Sequence, residues 1–255
     1  MIQLNHKKWG EGPAIIVLHG LFGSLDNWAT LSRQWADSFT MYLVDLRNHG
    51  KSPHTDTHTL SDMVRDLVDF IETHHIDQPV VLGHSMGGKV AMELALEHPD
   101  LVGGLIVVDI APKQYNRGHD YIFNGIHSLD LDRVTSRKEI QEILKQSIPN
   151  ESEVLFLSKN IDRSKDGFSW KINVDTLEKD YEEVIREIGT GRIYNGNVLV
   201  VRGSASSYIK DEDFNQIRAL FPHSRLETIP GAGHWVHADN PEAFDICVRE
   251  FMAQL

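Results

Sequence analysis

The chain has 255 residues, 41% of them apolar, and a net charge of −12; it is long enough to bury one substantial core in a single domain with an insertion. The acidic balance argues against nucleic acid or an anionic membrane as the main partner, although a local basic cluster can override a distant field within about a Debye length. No apolar stretch approaches the roughly 20 residues of a bilayer span, Met1–Trp9 lacks the charged-then-apolar order of a signal peptide, and the single cysteine, Cys247, excludes an internal disulfide framework and fits a reducing, cytoplasmic setting.

In chain order, Ala14–Leu18 is a short continuous apolar run ending in His19-Gly20, the pattern of a strand buried on both faces. Similar runs recur at Met41–Val44, Val80–Leu82, Leu105–Val108 and Val198–Val201. Between them, Leu60, Met63, Val64, Leu67, Val68 and Ile71 form one helical stripe. Val90, Ala91, Leu94 and Ala95 continue a second helix that stops before Pro99. Strands alternating with helices predict an α/β fold, a mostly parallel sheet with helices on both faces.

The alternation breaks between about Pro112 and Asn195, where no strong buried-strand run appears and charge density rises. Leu177, Tyr181, Val184, Ile185 and Ile188 suggest one helix, and the alternating Phe168, Trp170, Ile172 and Val174 a short extended piece. We read 112–195 as a helical cap inserted into a core of 1–111 and 196–255. The core resumes with a strand over Asn197–Gly203, a helix near Asp211–Phe221, a strand near Ser224–Pro230 and a helix from Pro241, with Asn240 as its N-cap. Cys247 stands at four-residue steps from Ala243 and Phe251 in that helix and is expected to pack in the core.

The most informative segment is Gly83-His84-Ser85-Met86-Gly87, a Gly-x-Ser-x-Gly placed between a predicted strand and a predicted helix. So tight a turn forces Ser85 into a strained backbone conformation, and glycine on either side avoids collision. A serine there stands at a helix N-terminus, where negative charge is favoured, but it needs a base and an oxyanion site to react. Of the 14 histidines, His234 lies in the glycine-rich loop Pro230–Trp235 between the last strand and the last helix. It is the candidate base, with His237 the weaker competitor. For the oxyanion hole we expect the backbone N–H groups of Leu21 and Met86, with Phe22 the lesser donor.

With these pieces in order, the chain resembles the α/β-hydrolases over nearly its whole length. The carriers are His19–Gly23 with Ser24-Leu25-Asp26-Asn27, Asp45–Ser52, Gly83–Gly87, Asp109-Ile110-Ala111-Pro112 and Gly231–His234. In more detail it is similar to the bacterial esterase YbfF group, related to mitochondrial abhydrolase proteins. The resemblance implies hydrolysis of a small-molecule acyl ester or acyl-CoA with modest acyl chains, no cofactor, and a helical cap over the site. Many relatives carry an aspartate at the end of the strand near Val198–Val201, where this chain has Ser206. Asp109, ending the preceding strand, keeps the order serine, acid, histidine and is the preferred third member, with Ser206 expected to hydrogen-bond His234 alongside it. Asp211 and Asp213 read as first-turn helix acids, and Asp45 as a turn acid pairing with Arg47.

Other chemistry on the same three residues, such as carbon–carbon bond hydrolysis or perhydrolysis, stays open, as does a non-catalytic binding protein on this fold. No metal is expected, since His54 and His58, the sole i, i+4 histidine pair, have no carboxylate to complete a site. Phe22, Trp28, Phe123, Phe156, Trp170 and Trp235 are candidate pocket walls.

Overall fold

The computed structural model describes residues 2–165, 167–189 and 191–255. Met1, in the N-terminal stretch read above, and Asp166 and Thr190, in the 112–195 segment, lie outside them. The strands in chain order are β1 (His6–Trp9), β2 (Ala14–Leu18), β3 (Thr40–Val44), β4 (Val80–His84), β5 (Gly104–Val108), β6 (Ile161–Ser164), β7 (Gly167–Trp170), β8 (Val198–Gly203) and β9 (Ser224–Ile229). Seven of them form one sheet in the order β1-β3-β2-β4-β5-β8-β9. All its pairings are parallel except β1 with β3. β1 carries no apolar run: His6-Lys7-Lys8-Trp9 is a half-exposed edge strand whose lysines discourage further pairing, so apolar patterning could not announce it.

The helices are α1 (Ala29–Trp35), α2 (Leu60–Thr73), α3 (Met86–Glu97), α4 (Asp120–His127), α5 (Arg137–Leu144), α6 (Glu151–Ser158), α7 (Val174–Lys179), α8 (Tyr181–Ile185), α9 (Asp213–Leu220), α10 (Val236–Asp239) and α11 (Pro241–Met252). Successive strand residues serve opposite faces of the sheet. Ile16, Leu18, Val81 and Val107 join the core with α2, α3 and α9, while Ile15, Val17, Leu82 and Val108 join the core with α1 and α11. Each such buried Val, Leu or Ile side chain contributes roughly 1.5–3 kcal/mol relative to exposure. Both ends of this reading hold locally: Thr59 caps α2 by accepting from Asp62 N, and Asn240 caps α11 by accepting from Ala243 N at 3.2 Å. Cys247 is buried in the α11 core.

Between β5 and β8 the chain leaves the sheet and builds α4–α8 with the antiparallel β6–β7 hairpin. This insert has its own apolar cluster, including Phe123, Ile126, Leu144, Val154 and Leu177, and it takes in Phe22 from the turn after β2. Two local expectations are corrected. The single helix predicted through Leu177–Ile188 is broken at Asp180 (φ −100°, ψ 18°) into α7 and α8. There the Asp180 carboxylate accepts from His58 N at 2.7 Å, a tertiary bond that outweighs continuation of the helix. The extended piece predicted for Phe168–Val174 ends at Trp170, and Val174 opens α7.

Candidate active site

β4 runs into α3 through Ser85, which has φ 52° and ψ −119°. The Ser85 N–H donates to Val108 O at 3.0 Å, prolonging the β4–β5 ladder, while Gly88 N and Lys89 N already donate to Ser85 O as the helix starts. A Cβ on Gly83 would lie 2.1 Å from Gly87 O, and one on Gly87 2.5 Å from His19 O. Only glycine fits at either place. The serine therefore sits on a backbone outlier enforced from both sides, at the positive end of a helix dipole.

Asp109 follows β5 and is also left-handed (φ 52°), a conformation short acidic side chains tolerate. Its carboxylate is fully buried and accepts from three groups: His234 Nδ1 at 2.8 Å, Gly203 N at 3.2 Å, and the Ser206 hydroxyl through a short bond. An imidazole bonded to a carboxylate through Nδ1 presents Nε2 as its basic nitrogen. The His234 ring is further fixed by Tyr208, stacked on it at 3.8 Å and 14°. From below, His84 Nε2–H donates to the His234 carbonyl at 2.8 Å. Burial, reinforced by the neighbouring His234 and His237, pushes His84 well below the usual histidine range, so it stays a neutral donor.

Ser206 is placed differently from expectation. Its oxygen accepts from Tyr208 N at 3.2 Å and its one proton goes to Asp109 Oδ2, so it braces the carboxylate instead of the imidazole. The competing acids are engaged elsewhere. Asp211 is exposed and pairs with Arg202 at 2.6 Å; Asp213 pairs with Lys113 at 2.5 Å and accepts from Lys210 N. Asp45 does not pair with Arg47. It accepts from Leu25 N, Lys51 N and Asn5 Nδ2, while Arg47 forks onto Asp66 at 2.6 and 2.8 Å. His237 is buried in α10 and stacked on Trp28 at 4.0 Å, and burial together with His234 lowers it to about 3. His54 and His58 do not converge: His54 Nε2 reaches Lys171 O, and His58 is buried against Met86 Sδ.

In the turn after β2, Phe22 N donates to His49 Nε2 at 3.2 Å. That commitment leaves the Leu21 amide as the turn's candidate donor, beside the candidate Met86 amide at the start of α3. A cavity of about 250 Å³ opens beside them, lined by Leu21, Ser85 and Met86 from the core and by Tyr115, His119 and Tyr181 from the insert. The expected aromatic walls are not its lining. Trp28 is in the sheet core, Phe22 and Phe123 are in the insert core, and Phe156 meets Trp235 at 5.5 Å. Tyrosines take their place, since a phenol can wall a pocket and still satisfy its hydroxyl.

Four residues at this site escaped sequence reasoning: His84, Lys89, His119 and Tyr208. Only Lys89 left a signal, a cation inside the apolar stripe of α3. Its ammonium is buried and donates to Lys113 O at 3.0 Å and Arg186 O at 2.5 Å, and burial pulls it down to about 7. Among the described residues no group of three or more His, Cys, Asp or Glu could hold a metal ion, and no helix is long and apolar enough to cross a membrane.

Residues 13–241 match the family model described as the alpha/beta hydrolase fold, and the chain belongs to that family. Among individual proteins, it is 35% identical to esterase YbfF of Escherichia coli over 241 residues, covering 93% of this chain and 92% of that one. It is 34% identical to the sn-1-specific diacylglycerol lipase ABHD11 of Danio rerio over 252 residues, 95% of this chain and 79% of that protein. A solved marine microorganism esterase superposes with a TM-score of 0.96 at 41% identity, covering 98% of this chain and all of that one.

Proposed function

We propose that this protein is a serine hydrolase that cleaves carboxylic esters or acyl thioesters through an acyl-enzyme at Ser85. The observation that carries the reading is the buried Asp109 carboxylate holding His234 by Nδ1 at 2.8 Å, next to a serine on a strained, glycine-flanked elbow. In this scheme His234 Nε2 takes the Ser85 proton as the hydroxyl attacks the acyl carbon. The Leu21 and Met86 amides bind the developing oxyanion, and His234 returns the proton to the departing alcohol or thiol. Water then repeats the sequence on the acyl-enzyme. Asp109 keeps the imidazole in the required tautomer and stabilises its cation, and Ser206 acts through Asp109 as a positioning residue.

The esterase and lipase names of the similar proteins favour this reading. The small cavity, below the roughly 300–1,000 Å³ of drug-sized pockets, favours modest acyl groups. Residues 112–195 serve as the cap and 1–111 with 196–255 as the catalytic core, working in the cytoplasm on small-molecule acyl esters or acyl-CoA. A serine-directed fluorophosphonate should label Ser85, and Ser85→Ala should abolish both labelling and hydrolysis, with kcat down on the order of 10⁴-fold or more. Near-full activity in that variant would remove Ser85 from the mechanism.

A further inference from the structure

His119, on the insert at the start of α4, lines the same cavity as Ser85. Its Nδ1 lies 2.5 Å from the Tyr181 hydroxyl, which also accepts from Gly118 N at 3.4 Å. Tyr181 is buried, and burial raises its phenol above the ordinary range, so the hydroxyl keeps its proton and needs an acceptor. Among the described residues the acceptor it has is His119 Nδ1. The ring must then carry its own proton on Nε2. Burial, reinforced by His234, holds His119 down to about 4, so this neutral tautomer persists at pH 7. No partner for Nε2–H occurs among the described residues, although the residue faces a cavity.

We infer that His119 is a specificity-determining residue whose Nε2–H hydrogen-bonds an oxygen in the leaving group of the substrate, a few bonds beyond the departing atom. The inference rests on the hydrolase reading above. The leaving-group side follows from the neighbours. Tyr208, which stacks on His234, lines the cavity together with His119, and His234 is the group that returns a proton to the departing atom. A donor on that side of the pocket selects alcohols or thiols bearing an ether, hydroxyl or carbonyl oxygen over their hydrocarbon isosteres, because the isostere leaves the donor unpaired.

The test compares 2-methoxyethyl butyrate with butyl butyrate, its CH₂-for-O isostere, after correction for their alkaline hydrolysis rates. Wild type should favour the ether ester roughly tenfold in kcat/KM. His119→Phe should bring the ratio to within about threefold of one, and His119→Gln, which keeps a donor, should restore part of it. Tyr181→Phe, which frees the ring to change tautomer while keeping the wall, should lower the ratio without erasing it. Long-range ¹H–¹⁵N correlation spectra of the wild-type protein give a readout apart from activity: His119 Nδ1 should appear unprotonated and Nε2 protonated. The opposite tautomer, or an unchanged ratio in both His119 variants, would overturn the inference. Failure of the wild type to react with fluorophosphonate would instead reject the underlying hydrolase reading.

Discussion

Asp109 Oδ2 accepts from both His234 and Ser206, so one oxygen concentrates the effects of three side chains. Asp109→Asn should lower kcat by on the order of 10²–10⁴, since an amide can trap the imidazole in the wrong tautomer. Ser206→Ala removes only a brace on the carboxylate and should lower kcat about tenfold or less. Because Ser206 acts through Asp109, the double variant should be little worse than Asp109→Asn alone; independent, multiplying losses measured by steady-state kinetics would contradict the bracing role. Asp211→Asn should be nearly silent. The candidate serine stood out because its elbow demands glycine at fixed offsets, and the candidate histidine because it lies on the glycine-rich loop before the last helices. The aim of the Ser206 hydroxyl was not, since a rotamer chosen by contact with Tyr208 N and Asp109 leaves no trace in spacing.

At the scale of one helix, α3 carries Ser85 at its N-cap, Lys89 a turn later and Glu93 a turn beyond. Lys89 holds Lys113 O and Arg186 O, and Glu93 pairs with Arg186 at 3.1 Å. Both stems of the insert are thereby registered against the serine through a single rigid element. Lys89→Met would leave two buried carbonyls short of a donor, costing about 1–3 kcal/mol, partly offset by no longer burying an ammonium. The folded pKa of about 7 lies below the unfolded 10.5, so between these values the unfolded chain holds a proton that the folded one lacks. Raising the pH from about 7 to 9 should therefore stabilise wild type relative to Lys89→Met, on the order of 1 kcal/mol per unit. Urea midpoints at the two pH values measure this, and a constant difference would refute it. The apolar period made α3 predictable. By contrast, the break between α7 and α8 depends on Asp180 reaching His58, a partner 122 positions away in sequence.

Over the whole molecule, His19, His49, His58, His84 and His237 are buried, and burial is the leading cause that lowers each of them from 6.5. Their folded pKa values lie below the unfolded one, so as pH falls through 6.5 the unfolded chain takes up protons that the folded chain refuses. His58 and His237, held down to about 3, then each forfeit roughly 1.4 kcal/mol at one pH unit below 6.5, and the other three act in the same direction. Thermal stability should therefore fall steeply between pH 7 and 5.5, well above carboxylate titration, and His237→Phe should soften the slope. A melting temperature flat across that interval would exclude the effect. The mostly parallel sheet and its two helical layers were readable from alternating apolar runs, but the strand order, the edge strand β1 and this histidine liability were not, because pairing order and burial of a polar ring are decided by tertiary packing.

The insert's position between two neighbouring strands bears on how the chain is made. β5 and β8 pair side by side, yet a ribosome delivers them far apart in time. At about 5–20 residues per second, the interval from Val108 to Val198 lasts roughly 5 to 20 seconds. Throughout it, a nascent half-sheet would present the apolar Leu105–Val108 edge to the surrounding solution, with its eventual neighbour not yet synthesised. Chains arrested before Val198 should accordingly aggregate or recruit chaperones, whereas chains arrested after Gly203 should do so far less. The segment that walls the cavity is thus also the one that delays closure of the sheet beneath it.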